Sequence, residues 1–189
     1  MEVRSFLAFE LPGDIRKILS DISENARSLT LNVRWVRVAN IHLTVVFMGN
    51  VPEAQIKPIE AAAERICHAY APFCIQVTGA GLFGSRRHPR VLWVGLSGDV
   101  DRMSAFRDDL QGDLAPFGIQ EERRPFRPHL TLGRFRKGAT ADAGLDAFLS
   151  RYQNLDGPEC LLRELVLFRS DLKPGGAVYT RLGAWPLEG

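Results

Sequence analysis

Cysteine is scarce in this chain of 189 residues, and its three cysteines do not form a Cys-x-x-Cys pattern. Cys67, Cys74 and Cys160 are therefore expected to be reduced thiols that pack as small apolar side chains in a cytoplasmic protein. The chain also lacks an apolar run of the ~20 residues that a membrane helix needs, so no membrane partner is expected. An acidic residue, Glu2, and no long apolar segment stand near its start, which argues against a secretory signal.

An excess of charge of one sign is also missing. The formal net charge of +2 is too small to indicate nucleic-acid binding by itself. The arginines are nevertheless clustered, at 86–90, 123–127 and 134–137. Such clusters can attract phosphate groups, or they can simply form a solvated surface, and both interpretations stay open at this point.

No linker rich in glycine or serine divides the chain, so a single two-lobed domain is predicted over residues 1–189. Helical spacing of apolar residues predicts helices over 14–29, 52–70, 99–118 and 140–152. Apolar and alternating segments predict strands over 4–11, 33–38, 42–49, 73–84, 90–96, 129–135, 160–170 and 178–187. This mixture predicts an α+β fold. Each half contains a strand, a helix and a His-Leu-Thr strand, which fits two similar lobes facing each other.

What the sequence does contain is a repeated tripeptide. Two of its four histidines open the sequence His-Leu-Thr, 87 residues apart. Because side chains alternate along a strand, His42 and Thr44 share one face, and so do His129 and Thr131. Imidazole can accept or give a proton near neutral pH, and a hydroxyl can donate to a phosphate oxygen beside it. Two copies would place a base, an acid and two donors around one phosphate without a metal. The alternative is that two half-exposed strands contain histidine and threonine by chance, but the repetition of the tripeptide favours a catalytic role.

Other motifs carry less chemistry. The segment 79–84 matches Gly-x-Gly-x-x-Gly, but a loop and a strand follow it where a dinucleotide site needs a helix. A zinc site built from Cys67, His68 and the two motif histidines lacks ligand spacing and a carboxylate partner. His68 and His88 are expected on the surface. We therefore predict no metal and no cofactor.

The motifs and their flanks resemble the bacterial and archaeal RNA 2′,3′-cyclic phosphodiesterases, also named 2′-5′ RNA ligases, of the two-histidine phosphoesterase superfamily. The resemblance covers nearly the whole chain, including the segments RWVRVANIHLTVVFMGNV, RPFRPHLTLGR and ELVLFRSDLKPGGAVYTRL. It implies a bilobal α+β fold with pseudo-two-fold symmetry. Two antiparallel sheets would form a central groove, with helices on the outer faces and one His-x-Thr strand from each lobe on its floor.

The same resemblance implies an activity. It is the metal-independent opening of a 2′,3′-cyclic phosphate at an RNA end to a 2′-phosphate, with possible reversible, ATP-independent 2′-5′ joining of tRNA halves. The partners would be RNA ends, and the protein would be a monomer. The catalytic residues implied by the motifs are His42, His129, Thr44 and Thr131.

Three further residues are expected to bind substrate: Arg134, Arg127 and Phe47. Phe47 and Phe126 are candidates for stacking against a base, although both could equally be core residues. Plain strand alternation would turn Arg134 away from His129, so the groove requires a twist or a bulge there.

In the expected mechanism His42 is the acid and His129 the base, although the sequence does not fix this polarity. The four motif side chains should project into solvent in the groove, so replacing them should change folding little. Two alternatives stay open. One is a non-catalytic module that binds RNA ends, and the other is a related phosphodiesterase that acts on a small cyclic nucleotide.

Overall fold

The computed structural model describes residues 1–29 and 31–189. In these residues the chain forms four α-helices: α1 (Gly13–Ser28), α2 (Ile56–His68), α3 (Val100–Leu114) and α4 (Ala143–Tyr152). It also forms nine strands: β1 (Glu2–Phe9), β2 (Val33–Trp35), β3 (Leu43–Pro52), β4 (Phe73–Ser85), β5 (His88–Gly98), β6 (His129–Phe135), β7 (Glu159–Leu162), β8 (Glu164–Lys173) and β9 (Gly176–Pro186).

The strands make two antiparallel sheets. Sheet A has the order β3-β1-β8-β9, and sheet B has the order β2-β6-β5-β4-β7. Helix α3 packs against β3 of sheet A and β4 of sheet B, while α2 packs against β8 and β9. The predicted α+β fold with two antiparallel sheets is therefore confirmed.

One predicted strand is wrong. The apolar segment 160–170 reads as a single strand, but the structure divides it into β7 and β8, which belong to different sheets. β7 pairs with β4 of sheet B, and β8 pairs with β1 and β9 of sheet A. Both strands present buried apolar residues, so the sequence gives no sign that the chain changes sheets at Arg163.

Among the predicted elements that are too long, two flank the first motif. The strand predicted over 33–38 ends at Trp35, and a short 3₁₀ helix, Val38–Asn40, leads into β3. The helix predicted over 52–70 begins at Ile56, because β3 runs on to Pro52 and a 3₁₀ turn, Glu53–Gln55, follows it. Both differences lie at element ends, which local sequence specifies least well.

One apolar core is shared by both sheets. Helix α1 contributes the buried residues Ile15, Leu19 and Ile22 at helical spacing, and Leu43 and Leu130 of the two motifs face this core. A smaller cluster covers the opposite face of sheet A: Phe6, Ala8, Val166 and Phe168. Sheet A is thus apolar on both faces, and its second face borders the groove between the sheets.

No helix in residues 1–29 and 31–189 is long and apolar enough to cross a membrane. The segment 79–84 lies inside β4 and not at the start of a helix. This position agrees with the rejection of a dinucleotide site.

Candidate active site

A groove between the two sheets contains both His-Leu-Thr segments. His42 and Thr44 come from the start of β3 in sheet A, and His129 and Thr131 come from β6 in sheet B. All four side chains line one cavity of about 400 Å³. The prediction that the two histidines share a groove is confirmed, and each threonine lies on the same side as its histidine.

A β-bulge follows the second motif. Two successive residues of β5 pair with Gly133 and Thr131, so Leu132 between them is an extra residue in β6. Leu132 and Gly133 are both buried, and the strand alternation restarts one residue later. Arg134 therefore lines the groove together with His129. The expected twist or bulge, which turns Arg134 to the same side as His129, is therefore present.

The same distortion follows the first motif. Two successive residues of β1 pair with Val46 and Thr44, which leaves Val45 as the extra residue in β3. Both valines are buried, so Phe47 returns to the groove, where 54% of it is exposed. Phe47 thus holds in one lobe the position that Arg134 holds in the other, five residues after the motif histidine. The repeated bulge supports a pseudo-two-fold relation between the lobes.

Each motif histidine is oriented by the backbone just before it. Nδ1 of His42 donates to the carbonyl oxygen of Asn40 at 2.9 Å, and Nδ1 of His129 donates to the carbonyl oxygen of Arg127 at 2.8 Å. A carbonyl can only accept, so Nδ1 carries the hydrogen in both neutral rings. Nε2 of each histidine is consequently the nitrogen available to accept or give a proton.

An aromatic cage surrounds His42. Its ring stacks on Phe6 at 4.6 Å between centroids, and the edge of Tyr179 approaches it at 5.3 Å. The ring of Phe168 lies further away, with its centroid 6.2 Å from that of His42. Burial among these rings lowers the pKa of His42 to about 4, although the hydrogen bond to Asn40 opposes the shift. His42 thus lines the groove, as expected, but the aromatic rings cover part of it and favour the neutral imidazole.

His129 has a more open setting. Phe83 meets its ring edge-on at 4.7 Å, and Trp93 lies at 6.5 Å. Burial lowers the pKa of His129, the hydrogen bond to the Arg127 carbonyl raises it, and the nearby charge of Arg134 lowers it. Both histidines are thus biased toward the neutral form, and the caged His42 more strongly.

The groove is positively charged. Its twenty lining residues include four arginines and no aspartate or glutamate. The arginines are Arg4, Arg34, Arg37 and Arg134. Since the whole chain carries a net charge of only +2, this concentration of cations is local and makes the groove a site for an anion.

Not every predicted binding residue reaches the groove. Arg127 is exposed but does not line the cavity, and its carbonyl, rather than its guanidinium, contacts His129. Phe126 packs against the core with the guanidinium of Arg107 5.2 Å from its ring centre. The structure therefore favours the core interpretation for Phe126, while Phe47 and Arg134 remain candidates for substrate contacts.

The sequence did not single out Tyr179, Arg4 or Asn40. Burial raises the pKa of Tyr179, which keeps its hydroxyl protonated and able to donate in the groove. The side chain of Asn40 donates to the carbonyl oxygen of Ala177 at 2.9 Å, which ties the start of β9 to the segment before His42. Tyr179 and Arg4 are distant in sequence from both motifs, so only the fold reveals that they lie in the same groove.

The residues of the rejected zinc site do not gather. Cys67 is buried in α2, while His68 lies on the surface, 3.7 Å from Glu188. Within residues 1–29 and 31–189, no group of three histidine, cysteine or acidic side chains is placed to hold a metal ion.

Comparison with known proteins shows which family has this chain as a member. Residues 19–174 match the sequence profile described as the 2′-5′ RNA ligase superfamily. The chain belongs to this superfamily. It is 32% identical, over 187 residues, to an RNA 2′,3′-cyclic phosphodiesterase of Methanothermobacter thermautotrophicus, and the match covers 99% of this chain and 100% of that protein.

Two solved structures share the fold. A crystal structure of a Thermus thermophilus protein matches with a TM-score of 0.83 and 28% identity, covering 98% of each chain. E. coli LigT, crystallised with 3′-AMP, matches with a TM-score of 0.77 and 26% identity over 100% of both chains. The bilobal architecture of the 2′-5′ RNA ligase superfamily is therefore the architecture of this protein.

Proposed function

We propose that the protein hydrolyses RNA 2′,3′-cyclic phosphate ends to 2′-phosphates. The observation that carries this proposal is one groove with two opposed His-x-Thr pairs, four guanidinium groups and no carboxylate. Such a groove attracts a phosphodiester and offers a proton-transfer group on each side of it. The activity named for the Methanothermobacter relative supports the same reaction.

In the proposed mechanism one histidine activates water and the other protonates the leaving oxygen. We assign the base to His42, because its aromatic cage keeps the imidazole neutral, with Nε2 free to accept a proton. His129 is the acid, and the negative phosphate promotes its protonation when substrate binds. Water adds to phosphorus, the bond from phosphorus to the 3′-oxygen breaks, and His129 supplies the proton to that oxygen. This assignment reverses the polarity expected from the sequence.

Thr44 and Thr131 are proposed to donate to the phosphate oxygens that do not bridge to the sugar. Arg134 adds a fixed positive charge on the side of His129. Preorganised donors of this kind stabilise the charge that develops as water attacks. With an RNA 5′-hydroxyl in place of water as the nucleophile, the same ring opening would form a 2′-5′ linkage and release the 3′-hydroxyl, which is the joining reaction that the family's other name describes.

The decisive test of this function uses an oligoribonucleotide that ends in a 2′,3′-cyclic phosphate. We expect the purified protein to convert it to the 2′-phosphate, as followed by chromatography and ³¹P NMR. Tight binding without any product would instead support the non-catalytic module. A product with a 3′-phosphate would contradict the proposed roles of the two histidines.

The proposed chemistry is independent of metal, since imidazoles, hydroxyls and guanidiniums supply every role. Hydrolysis should therefore continue at an unchanged rate in excess EDTA, after dialysis against the chelator. The measurement is initial rate with and without chelator, followed by addition of zinc or magnesium. A rate that falls with EDTA and returns with either metal would refute this part of the mechanism.

Replacing Arg134 by alanine should lower kcat/KM about tenfold or more, because a charge-assisted hydrogen bond to an anion contributes ~1.5–3 kcal/mol. Arg134→Lys should recover part of the loss, since it keeps the charge but not the planar fork. Arg136→Ala is the matched control, because Arg136 is exposed on the same segment and does not line the groove. Equal effects of the two alanine variants would remove Arg134 from the proposed site.

A further inference from the structure

A second cavity adjoins the groove along sheet A, and we refer to it as the distal cavity. Its volume is about 620 Å³, and its lining comes from the start of β1, from Asn50 of β3 and from the segment 169–173 of β8. Three residues line both spaces: Arg4, Ser170 and Leu172. The groove and the distal cavity are therefore neighbours along sheet A.

The register of sheet A defines the floor that connects them. Phe6, on which His42 stacks, pairs with Phe47 across β1 and β3, and Arg4 pairs with Asn50 further along the same strands. Arg4 and Phe6 are two residues apart and share a face of β1. From Phe6 to Glu2 the strand advances ~13 Å, which is room for roughly two nucleotides. The floor leads away from the catalytic histidines.

This floor carries exposed apolar side chains beside cations. Phe47 is 54% exposed and Leu172 is 70% exposed. The guanidinium of Arg4 lies 4.7 Å from the ring centre of Phe47. Grooves that bind single-stranded RNA combine an aromatic face, on which a base stacks, with cations that follow the backbone. An exposed aromatic ring with a guanidinium on it matches that combination.

The distal cavity is lined by three cationic side chains and by two carboxylates, Glu2 and Asp171, so its formal charge is +1. Asp171 accepts a hydrogen bond from Nε of Arg169 at 3.0 Å, so these two charges neutralise each other. No ion pair to Arg4 or to Lys173 occurs among the residues that the structure describes. Those two cations remain available, one at the boundary with the groove and one in the distal cavity.

We infer that the distal cavity binds the RNA chain on the 5′ side of the cyclic phosphate, so the protein prefers an oligonucleotide end to a free cyclic nucleotide. This inference rests on the proposed function. A 2′,3′-cyclic phosphate is the last group of its strand, so all other nucleotides leave the groove on their 5′ side. The next base stacks on Phe47, the adjoining phosphate faces Arg4, and the phosphate beyond it faces Lys173.

The test compares two substrates, adenosine 2′,3′-cyclic phosphate and an adenosine tetranucleotide that ends in the same group. We expect kcat/KM to be at least ~10-fold higher for the tetranucleotide, because it makes the additional stacking and phosphate contacts. Lys173→Ala should lower the ratio of the two kcat/KM values about fivefold, and Lys173→Glu should lower it further. Arg163→Ala removes an exposed cation that lines neither cavity, and it should leave the ratio unchanged.

Salt gives an independent readout. The kcat/KM for the tetranucleotide should fall more steeply with sodium chloride than that for the mononucleotide, and Lys173→Ala should reduce the difference in slope. Equal kcat/KM for both substrates in the wild type would overturn the inference and leave the proposed function standing. A preference for the tetranucleotide that survives Lys173→Glu would also overturn it. No hydrolysis of either substrate would refute the proposed function itself.

Discussion

Replacing His42 or His129 should each lower turnover of an RNA 2′,3′-cyclic phosphate by ~10²-fold or more, because each change removes one of the two proton-transfer partners. The double variant should lose much less than the product of the two single losses, since groups that act as a unit are not additive. Thr44→Ala and Thr131→Ala should cost less, on the order of 1–3 kcal/mol for a lost hydrogen bond to a charged group. Steady-state kinetics on all four single variants and the double variant would measure these effects.

The choice of substitution matters at His42, because its ring is part of an aromatic cluster with Phe6, Phe168 and Tyr179. Alanine would leave a space there and destabilise the fold, so glutamine, which fills more of the site, is the better probe. Thermal melting of each variant separates loss of fold from loss of chemistry. His68→Ala is the matched control, since His68 is a surface histidine on α2, outside the groove. Near-normal hydrolysis by a folded His42→Gln variant would refute the catalytic assignment.

The features that the sequence could predict are local ones. Alternation along a strand depends on neighbouring residues only, so the shared face of His42 and Thr44 follows from the tripeptide itself. The bulge after Thr131 was required by the position of Arg134 relative to His129. The sequence does not predict the corresponding bulge in β3, because nothing in the sequence required the side chain of Phe47 to face the groove.

The features that the sequence could not predict depend on distant segments. The cage around His42 is completed by Phe168 and Tyr179, which reach it through β8 and β9. Their effect on the pKa of His42 is the reason for proposing this residue as the base, so an environment that the sequence does not reveal bears on the proposed mechanism. The position of Arg4 also depends on a distant segment, since β1 brings it to the groove by pairing with β3. The division of 160–170 between two sheets was hidden because both strands are apolar.

The aromatic cage should also make the protein sensitive to acid. Because the pKa of His42 falls from 6.5 in the unfolded chain to about 4 in the fold, the unfolded state binds more protons between these values. The contribution of neutral His42 to the free energy of unfolding should therefore be fully present above pH 6.5, and it should be lost as the pH falls toward 4. The loss attributable to this histidine is at most ~3 kcal/mol, at 1.36 kcal/mol for each unit of pKa. The lowered pKa of His129 acts in the same direction.

Urea unfolding at intervals from pH 7.5 to pH 4 would measure this dependence in the wild type, in His42→Gln and in the His68→Ala control. The His42→Gln variant carries no titrating ring in the cage, so its free energy of unfolding should fall less steeply, by up to ~3 kcal/mol over the interval. Carboxylates such as Glu122, whose pKa is lowered to about 2 by its hydrogen bonds with Arg124, also contribute to acid sensitivity, but equally in all three proteins. The difference between the curves therefore isolates His42. Parallel curves for the wild type and His42→Gln would show that protonation of His42 does not lower the free energy of unfolding. The argument that the fold keeps this histidine neutral, and so suits it to act as the base, would then fail as well.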